Sequence, residues 1–256
     1  MSGSWCVVGA TTACHESARW GVATPAPGPG TAAFKCACVN HAFVGVSFDL
    51  FGTLVDVDRP ADPAAAVAEE LRARDVAVPA DWDEAYREPH LDPPEGAEVP
   101  LQAHVAAALS SRGVDGVAGN AVRRAVIAAF DPTVRTREGA VAAVDAAAER
   151  GPVGVCSNCS VPELVSRTLL RSEIDRDRLD AIVTSADCGW RKPDRRAFET
   201  VATALGVDLA ALVHVGDDPA TDGGAERAGA TSVLLDEVPL ADLPAWLATE
   251  HGRRGE

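Results

Sequence analysis

The chain has 256 residues, 47% hydrophobic and 24% charged, with a formal net charge of -15. That is material for one or two globular units with a sizeable core, and no apolar run is long enough to span a bilayer. So acidic a surface repels nucleic acid and anionic membranes, so neither is an expected partner, but it says little else about function; the oligomeric state stays open.

Residues 1–43 differ from the rest. They hold one acidic residue, Glu16, against Arg19 and Lys35, and are broken by Pro25, Pro27, Pro29, Gly28 and Gly30. No basic start leads into an apolar core, so a secretory signal fits poorly. Cys14-His15 and Cys36-Ala37-Cys38 with His41 match no common zinc spacing. The segment reads as a disordered extension, or one outside the true product; a start near Val44 or Val46 would leave a complete domain. The other cysteines are Cys6, Cys156, Cys159 and Cys188; an odd total of 7 argues against a disulfide scaffold, and a cytoplasmic location is expected.

Val46 to Phe48 opens with apolar and β-favouring residues and no breaker, the pattern of a buried strand, and Asp49 stands where it should end. Gly52 permits a sharp turn, and Thr53 offers a hydroxyl. Pro60 and Pro63 then open a helical region. Ala64 to Arg74 has helix-forming composition, Trp82 to Glu88 reads as a short helix, and proline-rich His90 to Pro100 as a loop. Leu101, Val105 and Leu109, then Val122, Val126 and Phe130, repeat at helical spacing. Residues 60–132 therefore read as a small all-helical insert. Tyr86, Arg87 and His90 are candidates for substrate contact there, against the commoner reading of a solvated helix end.

An α/β alternation follows. Helices are expected over Glu138 to Arg150, Val161 to Leu170, Asp194 to Leu205 and Ala220 to Ala228. Strands are expected over Val153 to Cys156, Ala181 to Thr184, Leu212 to Val215 and Thr231 to Leu235. Such alternation predicts a Rossmann-like parallel sheet with helices on both faces, its core assembled from 44–59 and 133–256.

Four polar points fall after or beside these strands: Asp49, Ser157, Lys192 and Asp217. On a parallel sheet those ends meet at one crevice. Asp49 can act as a nucleophile, Ser157 can hydrogen-bond a transferring anionic group, and Lys192 can neutralise it. Asp217, with Asp218 or Asp222, adds carboxylates that would repel Asp49 unless a cation such as Mg²⁺ sat among them. Lys192 is also the single lysine after Lys35. Cys156-Ser157-Asn158-Cys159 has redox spacing, but its overlap with Ser157 favours small buried thiols. His214, inside a strand, reads as a core histidine.

The order of four motifs resembles the haloacid dehalogenase (HAD) superfamily of aspartate-nucleophile hydrolases across roughly residues 44–240. They are Phe48-Asp49-Leu50-Phe51-Gly52-Thr53-Leu54, then Ser157-Asn158, then Lys192-Pro193-Asp194, then Gly216-Asp217-Asp218-Pro219-Ala220-Thr221-Asp222. The resemblance implies a C1-type helical cap over the site. It implies an Asp49 nucleophile, Thr53, Ser157, Asn158 and Lys192 around the transferred phosphate, and Mg²⁺ on Asp49, the Phe51 backbone carbonyl and Asp217, with Asp218 or Asp222 as a further ligand. One position departs: phosphatases of this superfamily carry a second Asp where Phe51 stands, while its 2-haloacid dehalogenases carry an aromatic there. Those dehalogenases lack the Gly-Asp pair that Gly216-Asp217 supplies. The leading expectation is a Mg²⁺-dependent phosphatase of a small organic phosphate. The alternatives are a metal-independent 2-haloacid dehalogenase and a phosphate-binding module without turnover.

Overall fold

A computed structural model describes residues 45–117 and 120–253. The extension over 1–43, with its cysteines, lies outside the described residues.

Five parallel strands form the central sheet, in the order β5-β4-β1-β6-β7. They are β1 (Gly45–Phe48), β4 (Val153–Ser157), β5 (Ala181–Thr184), β6 (Leu212–Gly216) and β7 (Thr231–Leu234). β1 is central. After it the chain adds strands on one side through β4 and β5, then returns to its other side with β6 and β7. That reversal opens a crevice at the carboxyl ends of β1 and β6, where ligands bind in open α/β sheets. Strands covered on both faces read as continuous apolar runs, and β4 is buried at every residue.

Period-two alternation splits the core. Val46, Phe48, Val153, Val155, Val213 and Val215 join one cluster with α5 (Ala140–Ala148) and α10 (Leu243–Arg253). Cys156, Val183 and Leu212 face the other way, against α8 (Arg195–Leu205) and α9 (Gly224–Ala228). α8 forms because Asp194 caps it, accepting from the Arg196 N–H at 2.9 Å, and it ends at Gly206 in the left-handed region. Its buried stripe, Ala197, Phe198, Val201, Ala202 and Leu205, has helical spacing. Phe198 is fully buried, worth roughly 2–3 kcal/mol of transfer free energy.

A two-stranded antiparallel ribbon, β2 (Val55–Val57) with β3 (Val134–Thr136), leaves the sheet. Between its strands stand α1 (Pro63–Arg72), α2 (Trp82–Arg87), α3 (Leu101–Ser110) and α4 (Ala121–Ala129). Asp62 caps α1 at the Ala65 N–H, with Pro63 in the first turn where its missing donor costs nothing. The Trp82 indole donates to the Ala64 carbonyl at 2.8 Å, tying α2 to α1. α6 (Leu164–Arg171) and the four-residue α7 (Ser185–Cys188) complete the α-helices among the described residues.

The helix expected over Ala220 to Ala228 is shorter, beginning only at Gly224. Asp218 accepts from the Ala220 N–H at 2.8 Å and closes a turn instead. That turn sends Asp222 inward.

Candidate active site

Asp49 directly follows β1, and its backbone N–H still pairs with the Val215 carbonyl at 2.8 Å. Its carboxylate accepts from the Lys192 ammonium at 2.9 Å. Lys192 arrives on the loop between α7 and α8. A two-point clamp fixes its backbone: Asn158 Nδ2 donates to the Lys192 carbonyl at 2.9 Å, and the Lys192 N–H donates to Asn158 Oδ1 at 2.8 Å. The same ammonium donates to Asp222 Oδ1 at 2.6 Å. Lys192 and Asp222 are 3% and 1% exposed, so this is a buried pair.

Asp222 is held on both oxygens. Oδ1 also accepts from His214 Nε2 at 3.0 Å, and Oδ2 from the Asp218 N–H at 3.0 Å. His214 Nδ1 lies 2.9 Å from the Ser47 hydroxyl. The network fits a proton on Nε2 with the Ser47 hydroxyl donating to Nδ1. Burial first, then the Lys192 charge, pushes the imidazole down to about 4, so it is neutral at pH 7. Burial opposes ionisation of Asp222, but the His214 hydrogen bond and the Lys192 charge hold its carboxyl well below the usual range. Burial also opposes the Lys192 charge, and Asp49 and Asp222 outweigh it and raise the ammonium above an ordinary lysine. At Asp49 burial dominates: opposed by Lys192 and reinforced by Asp222, it lifts the carboxyl above its usual value.

Asp217 comes from the end of β6. Thr53 donates to its Oδ1 at 2.9 Å. Gly52, at φ +90°, lets the chain turn there, and any side chain would put its Cβ 2.6 Å from Asp217 Oδ2. A Cβ at Gly216 would overlap the Asp222 carboxyl group. Both glycines are thus required by carboxylates packed against the backbone.

The structure therefore brings Asp49, Lys192, Asp217 and Asp222 together, and Ser157 ends β4, the strand beside β1. Ser157 is 2% exposed, and its hydroxyl has no hydrogen-bond partner among the described residues. An unpaired buried hydroxyl costs about 1–3 kcal/mol, and such a group is suited to meet a ligand. The side chains of Thr53 and Asn158 are taken up inside the protein, one on Asp217 and the other on the Lys192 backbone. Asp218 is exposed and shapes its own turn. Sequence reasoning gave His214 and Ser47 no role at the site. The usable signal was two polar residues on the same face of adjacent strands, paired in register across β1 and β6.

The thiols of Cys156 and Cys159 are buried and pushed up to about 12 by that burial, which removes the thiolate that redox chemistry needs. In the helical insert, His90 bonds the Ala85 carbonyl at 2.6 Å, Arg87 pairs with Asp83, and Tyr86 packs on Trp82.

Oxygens of Asp49, Asp217 and Asp222 lie within 4.8 Å of one another. Three carboxylates face one ammonium there, and the imidazole is neutral. The excess negative charge suits a hard divalent cation with oxygen ligands. The Leu50 carbonyl accepts from the Leu54 and Val55 N–H groups, and among the described residues the Phe51 carbonyl takes no such bond.

This fold, with an aspartate at the end of the central strand, a buried lysine and a Gly-Asp turn beside it, defines a haloacid dehalogenase-like hydrolase. Residues 44–229 match that hydrolase family, and the chain belongs to it. Over 96 residues it is 38% identical to Phosphatase MT3486 of Mycobacterium tuberculosis (strain CDC 1551 / Oshkosh), a match covering 37% of this chain and 43% of that protein. The chain thus spans less than half the length of that curated relative. Among solved structures, a 2-haloacid dehalogenase from Pseudomonas syringae pv. Tomato DC3000 superimposes with a TM-score of 0.56 at 22% identity, covering 81% of this chain and 99% of that one. That likeness shows a shared fold. No helix among the described residues is long and apolar enough to cross a membrane.

Proposed function

We propose that the protein hydrolyses a small organic phosphate, with Asp49 as nucleophile and Mg²⁺ as cofactor. The observation that carries this reading is the charge at the crevice: three carboxylates within 4.8 Å of one another against one lysine. A metal-free dehalogenase has no use for that surplus. The phosphatase name of the partial relative supports the same reading.

Asp49 and Asp217, with the Phe51 carbonyl, would hold Mg²⁺, which supplies charge compensation for the phosphoryl oxygens. Asp222 is left to Lys192, since its oxygens already accept from Lys192, His214 and the Asp218 N–H. Thr53 fixes Asp217 and Asn158 fixes Lys192. The Ser157 hydroxyl donates to a phosphoryl oxygen. The Asp49 carboxylate attacks phosphorus, the phosphorus–oxygen ester bond breaks, and the leaving oxygen takes a proton. Water then cleaves the aspartyl phosphate, releasing inorganic phosphate and restoring Asp49. Phe51 cannot move a proton, so water does so without a carboxyl group at that position, at a cost of about 10²–10⁴ in rate. The four helices of the insert act as a cap that limits solvent access.

Phe51 favours a second reading, halide release from a haloacid, where the leaving group needs no proton. A panel of phosphate monoesters and 2-haloacids, assayed with Mg²⁺ and with chelator, separates the two. Phosphate release lost on chelation is expected. Halide release that survives chelation would favour the dehalogenase, and tight phosphate binding without turnover a binding module.

A further inference from the structure

A cavity of about 490 Å³ lies beside the nucleophile loop, walled by the chain leaving β2, the segment between α4 and β3, and the residues just after Ser157. Small-molecule sites run from about 300 to 1,000 Å³, so this one suits a small metabolite. Phe51, Val57, Phe130, Val161 and Leu164 give it an apolar wall. Its charged lining is Asp58, Arg59 and Asp131.

Two of those three charges are already answered. Asp58 pairs with Arg135 at 2.9 Å. Asp131 pairs with Arg171 at 2.6 Å and Arg167 at 3.1 Å. Hydrogen bonds from these guanidiniums hold both carboxyls below their usual range. Arg59 is exposed, with no hydrogen bond or ion pair to any other described residue. Asp58 and Asp131 are thus occupied by Arg135, Arg167 and Arg171, and neither is left to answer Arg59. Arg59 and Phe51 also line an adjoining cavity of about 440 Å³, whose wall includes Gly52 and Asp217 and whose other charged residues are Asp56 and Arg135. The Arg59 guanidinium, unpaired among the described residues, therefore borders both the apolar cavity and the Asp217 carboxylate of the candidate active site.

We infer that Arg59 reads a second anionic group on the substrate, which makes the substrate class a small phosphate monoester with an apolar body and a carboxylate. This rests on the phosphatase reading for the phosphate end alone. Guanidinium and carboxylate meet as a charge-assisted pair with fixed geometry, which gives discrimination as well as attraction.

The test is calorimetric titration of the full chain, in Mg²⁺ buffer, with 4-carboxybenzylphosphonate and its neutral counterpart 4-carbamoylbenzylphosphonate. The wild type should bind the carboxylate about 10- to 100-fold more tightly, the usual scale for a hydrogen bond between charged groups. Arg59→Gln should bring the two affinities together, and Arg59→Lys should restore part of the difference. Equal affinities in the wild type, a difference that survives Arg59→Gln, or no binding of either probe would overturn the assignment. Binding is read apart from turnover. A chain that shows this preference but cleaves no phosphate monoester would keep the Arg59 role and lose the phosphatase reading. A chain that cleaves esters without the preference would do the reverse.

Discussion

Asp222→Asn tests how Lys192 is held. The carboxylate accepts three hydrogen bonds, from Lys192 at 2.6 Å, His214 at 3.0 Å and the Asp218 N–H at 3.0 Å. An asparagine has the same shape but cannot repeat the pattern. With its oxygen toward Lys192 and His214, its amide faces the Asp218 N–H; turned over, it presents a donor to a donor. Breaking a buried ion pair costs about 3–5 kcal/mol when the surviving charge is stranded. Lys192 keeps Asp49 at 2.9 Å, so the loss should be smaller, about 2–4 kcal/mol. For a domain of this size that lowers Tm by roughly 5–15 °C. Relief of repulsion on Asp49 works the other way, but Asp222 ranks below burial and Lys192 among the influences on that carboxyl. Urea unfolding followed by tryptophan fluorescence gives the stability, and kcat at saturating Mg²⁺ gives the consequence for Lys192. A loss under about 0.5 kcal/mol with unchanged kcat would refute the reasoning, leaving Lys192 positioned by Asp49 and the Asn158 clamp.

Two further outcomes follow from the site. Phe51→Asp should raise phosphatase turnover by supplying a proton donor, within the ~10²–10⁴ ceiling of general acid–base catalysis. Lower turnover on the same ester would mean that the ring binds substrate and the proton comes from elsewhere. His214 is depressed from 6.5 to about 4 in the folded protein, so the unfolded chain binds its proton more readily. Its contribution is complete above about pH 6.5 and drains away as pH falls toward 4, amounting to about 2 kcal/mol lost between pH 7 and pH 5. Unfolding curves at those two pH values should show a smaller loss in His214→Gln than in the wild type, and equal losses would contradict the buried neutral imidazole.

The sheet was legible because its strands are short apolar runs ending at breakers, and because Asp49, Ser157, Lys192 and Asp217 stand after or near those ends. The ribbon was not: Val55–Val57 and Val134–Thr136 are three residues each, too short for a period to register. α10 was missed too, since Leu243–Arg253 carries only a weak apolar stripe. The choice between Asp218 and Asp222 depended on which way one turn sends its side chains. Pro219 and the Asp218 bond to Ala220 decide that in three dimensions. Arg59 gave no signal at all, because a free arginine becomes informative only when the aspartates around it, Asp58 and Asp131, prove to be paired with partners as far away as Arg135 and Arg171.

The central claim is that Asp49 carries the phosphoryl group. The most direct measurement is to acid-quench the enzyme during turnover of a cleavable phosphate monoester with Mg²⁺ and locate the modified peptide by mass spectrometry. A phosphoryl group on the peptide that contains Asp49, absent from the Asp49→Asn variant together with turnover, is the predicted result. Turnover that persists in Asp49→Asn, or a phosphoryl group trapped on another side chain, would contradict it.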